Sequence, residues 1–199
     1  MFKFKLSAAA LALGALFGGF SAHATPVTFT ASLSGAAESP VNSSAGTGLA
    51  TVIFDTALHT MSVSFTFSGL TGTTTAAHMH CCTAAPFSGT AGVATQTPSF
   101  AGFPLGVSSG VYSNVFDMTL ASSYRAAFIT ANGGTTALAE LALFNGAVAG
   151  KTYLNLHTSA FPGGEIRGFL VPEPASLALV LLALGGIGAT ARSRSSRQG

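Results

Sequence analysis

The stretch TMSVSFTFS (60–68) alternates strictly. Met61, Val63, Phe65 and Phe67 fall on one side, and only serine and threonine on the other. Successive side chains of an extended backbone point to opposite faces, so this pattern dictates a strand with one buried and one wet face. VTFTASLS (27–34) repeats it with Val27, Phe29, Ala31 and Leu33. GLATVIFD (48–55) reads as the hairpin partner of 60–68 through the short DTALHT connection. TTTAAHMH (73–80), VYSNVFDMTL (111–120), TYLNLHT (152–158) and GEIRGFL (164–170) supply further strands. Two helices are predicted between them. SSYRAAFITANGG takes Ser122 as N-cap and ends at Gly133 or Gly134, and TTALAELALFNG stops at Gly146. Seven strands or so with two short inserted helices predict an all-β fold, a small antiparallel β-sandwich or barrel. Residues 81–106 form a long irregular stretch predicted to pack over one end, and loops of that length are often functional.

Both ends read as addresses. Lys3 and Lys5 precede an apolar run from Leu6 to Phe20 and the small-x-small exit Ala22-His23-Ala24, which predicts a signal peptide over 1–24 cleaved after Ala24. The run is about 15 residues, short of the ~20 a spanning helix needs. Residues 175–191, by contrast, carry no charge and are long enough to cross a bilayer as a transmembrane helix. Arg192, Arg194 and Arg197 follow and would hold that end in the cytoplasm, leaving the body outside.

Between these ends lies one domain of about 147 residues, 25–171, enough for a proper core. It holds three basic residues (Arg125, Lys151, Arg167) against five acidic ones (Glu38, Asp55, Asp117, Glu140, Glu165), a net charge of −2, although the whole chain is +2. The basic character therefore belongs to the addresses. Three dispersed cations give no footprint for nucleic acid.

Pro172-Glu173-Pro174, the apolar span and the terminal arginines resemble the PEP-CTERM sorting signal of exopolysaccharide-producing Gram-negative bacteria, over 172–199. The resemblance implies cutting by an exosortase near the Pro-Glu-Pro motif, after signal peptidase has acted at the N-terminus. It further implies transient insertion in the inner membrane, then delivery to the cell surface or extracellular matrix. The body resembles the CHRD domain. TASLSGAAESPVNSSAGTGLATVIFD (30–55) is similar to that domain's opening, with Ser39-Pro40 in place of a paired proline, and TAAHMH (75–80) and YLNLHTSAFPGGEIRG (153–168) match further on. This likeness implies an immunoglobulin-like or superoxide-dismutase-like sandwich, and carries no established activity.

His78 and His80 lie two apart on a predicted strand, so both leave the same face with Cα atoms about 6.6 Å apart. His157 shares a strand face with Tyr153 and Asn155. The family pattern keeps a histidine at all three positions, which implies that they converge. Three neutral imidazoles suit copper or zinc. The competing reading is a structural polar cluster with Asn155, Glu165 and backbone groups, and a local Glu165–Arg167 ion pair near His157. Cys81 and Cys82 are the only cysteines. An oxidising compartment leaves three options for them: a vicinal disulfide, a bridge to another molecule, or thiolates joining His78 and His80 on a metal.

No nucleophile elbow, P-loop or dinucleotide fingerprint is present, and no glutamate pair has glycosidase spacing. The leading expectation is a non-enzymatic surface or matrix domain associated with exopolysaccharide or envelope components. The second is an extracytoplasmic copper or zinc protein using His78, His80 and His157. A small metal-dependent redox or hydrolytic enzyme is the third.

Overall fold

The computed structural model describes residues 25–174. The signal peptide with Ala22, the 175–191 span and Arg192, Arg194 and Arg197 lie outside the described residues. Among the described residues no helix is long and apolar enough to cross a membrane.

The elements are β1 (Val27–Ser34), β2 (Thr47–Asp55), β3 (Thr60–Ser68), β4 (Thr74–His80), β5 (Gly110–Asp117), α1 (Ala126–Ala131), α2 (Thr136–Val148), β6 (Tyr153–Thr158), β7 (Ile166–Phe169) and β8 (Val171–Pro172). The fold is all-β and antiparallel. One continuous path runs β4-β6-β7-β1-β2-β3-β5, and β8 pairs with β1. This is a single sheet forming an open half-barrel. β1 joins its two parts by sharing one edge between β7, at Ser34–Arg167, and β8, at Phe29–Pro172 and Thr30–Val171.

The alternation read from the sequence becomes the core. Rungs Val27–Phe54–Met61–Phe116 and Ala31–Ala50–Phe65–Tyr112 cross four strands with every member buried. Each fully buried large apolar side chain contributes roughly 1.5–3 kcal/mol. Phe144 of α2 closes on Phe29 and Phe54 edge-to-face, with centroids 6.5 and 5.8 Å away. The helix thereby seals one side of the core.

The end strands β4 and β5 do not pair with each other. The long 81–109 connection fills the gap between them, as backbone hydrogen bonds from Ala94 to Met79, Phe100 to Ala77 and Gly106 to Thr74 zip it onto β4. Phe100 then reaches across to Tyr112 and Phe116 of β5. An exposed strand edge is a liability, and here the loop covers it.

Two helix boundaries differ from expectation. Ser122 does not cap α1, because 121–123 form a separate 3₁₀ turn in which Ser123 Oγ donates to Asp117 O. The Arg125 N–H bonds Ala94 O, which keeps the chain extended until Ala126. α2 does not stop at Gly146 but runs to Val148. The stop is Gly150, at φ +67°, with Lys151 N–H donating to Gly146 O and Gly150 N–H to Ala147 O, the paired bonds of a Schellman cap. Gly146 is internal because a side chain there would collide with the sulfurs of Cys81 and Cys82.

Candidate metal centre

β4 and β6 are hydrogen-bonded neighbours in which Ala76 faces His157, His78 faces Asn155 and His80 faces Tyr153. This register brings His78, His80 and His157 together on the face of the sheet turned away from the core. One ligand atom from each lies within 4.8 Å of the others. The His78 ring centroid is 4.8 Å from those of both His80 and His157. His78 is buried, and the other two are half-buried.

Each Nδ1 is held by a carbonyl oxygen: His78 by Pro98 (2.9 Å), His80 by Ala91 (2.8 Å) and His157 by Pro162 (2.8 Å). A carbonyl can only accept, so each Nδ1 carries a proton and donates it. Burial pushes His78 and His80 down to about 4 and also lowers His157, so the rings are neutral at pH 7. In a neutral ring with Nδ1 protonated, Nε2 presents a bare lone pair. His78 Nε2 and His157 Nε2 nevertheless face each other at 3.1 Å with no hydrogen to share, and His80 Nε2 is buried without a partner.

Such a contact is repulsive unless a cation lies between the nitrogens. At metal–nitrogen bonds of ~2.0–2.1 Å, two imidazoles on a tetrahedral ion are separated by about 3.3 Å, close to the observed spacing. Anchoring Nδ1–H on a carbonyl is also how metal-bound imidazoles are commonly oriented. The donor set therefore fits zinc or copper, with His78 and His157 at chelating separation and all three ligand atoms within 4.8 Å of one another. Among the described residues no carboxylate or thiol joins this group, so a bound ion would keep a position for solvent or another ligand.

Residues around the cluster brace it. Tyr153 stacks flat on His80 (4.7 Å, 6° between planes), and its hydroxyl accepts from the Ala91 N–H. Arg167 lies over the Tyr153 ring, 4.9 Å from its centroid, and 5.6 Å from that of Phe169. The expected Glu165–Arg167 pair is absent. Arg167 lies 3.9 Å from Glu38 instead, and donates to the carbonyls of Ala37 and Gly89. Glu165 precedes β7 and turns away to accept from Ser44, Thr71, Gly72 and Thr158. Neither it nor Asn155 bonds a histidine. The role of Tyr153 was legible only as a shared strand face, and the three carbonyls leave no trace in residue type. Cys81 and Cys82, directly after His80, are joined as a disulfide.

Fold and cluster together define a single all-β domain carrying a three-histidine candidate metal centre. The chain belongs to the CHRD domain family, whose model matches residues 29–170 and so includes all three histidines and both cysteines. A second model, the PEP-CTERM protein-sorting motif, matches residues 170–195, which makes this an exported protein addressed to an exosortase. That motif begins inside the fold: Pro172 pairs with Phe29 in β8–β1, and Glu173 N–H donates to Thr28 O. No match was found among curated proteins or among solved structures.

Proposed function

We propose that this protein is a non-enzymatic CHRD domain delivered to the surface or exopolysaccharide matrix of a Gram-negative bacterium, where it binds one copper or zinc ion through Nε2 of His78, His80 and His157. The facing lone pairs of His78 and His157 carry the metal reading. A purely structural cluster would place a proton or a donor between them. The half-barrel is read as an open relative of the sandwiches that the family resemblance implies, with the metal on its outer face.

The test is to strip the purified chain with chelator, add zinc or copper(II), and measure bound metal after desalting. One ion per chain is expected in the wild type. His78→Ala should weaken binding by more than the ~10–100-fold typical of losing an outer partner. His59→Ala is the control, because His59 pairs with Glu140 elsewhere in the fold. Absence of stoichiometric metal in the wild type, or equal loading of His78→Ala, overturns the reading.

The sorting half has its own test. Glu173→Ala is expected to leave uncut precursor in the inner membrane, read by fractionation and immunoblot. Normal processing of that variant would refute exosortase recognition through the Pro172-Glu173-Pro174 motif.

A further inference from the structure

The second concentration of reactive side chains is the Cys81–Cys82 disulfide. Joining neighbours closes no loop of chain, so the unfolded-state constraint through which disulfides stabilise folds is minimal here. Its surroundings are those of a site. Cys81 is buried and Cys82 is exposed. Both line a cleft of about 410 Å³ with Gly92, Val93, Arg125 and Phe128, a size in the range of small-molecule pockets. α2 backs the pair, because at Gly146 even a methyl group would overlap both sulfurs. The open approach is therefore through the cleft. Arg125 stands exposed on its wall and has no carboxylate partner among the described residues.

We infer that this cleft is a thiol–disulfide exchange site for a small thiol that carries a carboxylate. The incoming thiolate attacks Cys82 Sγ, the accessible sulfur. The Sγ–Sγ bond breaks and its electron pair leaves on Cys81 Sγ, which takes a proton from solvent. A new disulfide then links the small molecule to Cys82. A second small thiolate displaces Cys82 as a thiol, so two small thiols are oxidised to their disulfide and the protein pair gains two electrons and two protons. Exposure of the attacked sulfur favours the exchange. Arg125 selects the anion, meeting the carboxylate of the entering thiol and the charge released on Cys81 in the same cleft.

The experiment uses the full exported chain in excess chelator, so that metal bound at the histidines plays no part. Glutathione, 2-mercaptoethanol and cysteamine supply anionic, neutral and cationic thiols. Adducts are located by peptide mass spectrometry, and each rate is normalised to that thiol's rate with a small-molecule disulfide. A mixed disulfide on Cys82 is expected, with glutathione favoured over cysteamine by about fivefold or more, the worth of one solvent-screened charge contact. Arg125→Gln, with circular dichroism unchanged, should abolish that preference while leaving the 2-mercaptoethanol rate in place. An adduct on Cys81, no adduct at all, or a preference that survives Arg125→Gln overturns the inference.

Discussion

Glu165→Ala is expected to destabilise the domain by about 2–6 kcal/mol, the cost of stranding two backbone donors, a large share of the ~5–15 kcal/mol that holds a domain of this size together. The carboxylate has no exposure to solvent. Its Oε1 accepts from Ser44 Oγ and the Thr71 N–H, and its Oε2 from the Gly72 N–H and Thr158 Oγ1. Those donors come from three separate stretches of chain. Asn42 Nδ2 adds two bonds to the carbonyls of Gly164 and Glu165, tying the 42–46 loop to the same corner. Alanine would strand two backbone N–H groups, and a buried donor left without an acceptor costs about 1–3 kcal/mol. Glu165→Gln should lose roughly half as much. Its amide oxygen satisfies one pair of donors, while its NH₂ opposes the other pair, of which only a hydroxyl can rotate to accept. Urea unfolding at pH 7 measures both variants, and an alanine variant within 1 kcal/mol of wild type, a threshold near the worth of one ordinary hydrogen bond, would show that the corner is held otherwise.

The same bonds set the pH behaviour of that corner. Burial opposes the charge, but the four donors outweigh it and hold the Glu165 carboxyl below its ordinary range. A depressed carboxyl contributes stability that is present above its unfolded pKa and lost as pH falls through the folded one. The corner also reaches the candidate metal centre. His157 is oriented by Pro162 O, three residues before Glu165. Glu165→Gln, where it still folds, should therefore also bind metal more weakly.

How much of this was legible in the sequence can be judged from particular residues. β2, whose outer face includes Leu49 and Ile53, followed as the hairpin partner of β3. Period-two alternation located β1 and β3 to the residue, because their outer faces carry only hydroxyl side chains and the signal has no competitor. It also placed His78 and His80 on one face. That His157 joins them depends on β6 pairing with β4, and pairing order is a tertiary fact that no single strand encodes; the family resemblance carried that inference. Parity failed at Glu165. It shares a phase with Arg167, but β7 begins at Ile166, so Glu165 belongs to the preceding turn and obeys the turn's geometry. The true partner of Arg167 is Glu38, far away in the chain. Gly146 and Gly150 are both plausible helix stops by composition. What separates them is the disulfide packed on Gly146, which makes the first glycine a contact surface and leaves the second to take the positive φ.

Glu38 carries the prediction with the opposite pH sign. It is 6% exposed, its Oε1 has no partner, and its Oε2 lies 3.9 Å from Arg167. Burial pushes its carboxyl up to about 7, and the nearby guanidinium only partly offsets this. Between the unfolded value near 4.5 and about 7 the folded state binds the extra proton, so stability contributed by this residue falls as pH rises through that window. Glutamine has the shape of the protonated acid and does not titrate. The stability of wild type minus that of Glu38→Gln should therefore decline by about 3 kcal/mol between pH 4 and 8. Taking the difference cancels the histidines and Glu165, which titrate in both proteins. Chemical unfolding of metal-free protein across that range provides the measurement, and a flat or rising difference would mean that Arg167 keeps Glu38 ionised. If the decline is found, the Glu38 side chain is half-protonated near neutrality. Arg167, which lies over Tyr153 next to His80, then loses its counter-charge as the medium acidifies and Glu38 takes up a proton, which disfavours a cation at the histidines as pH falls.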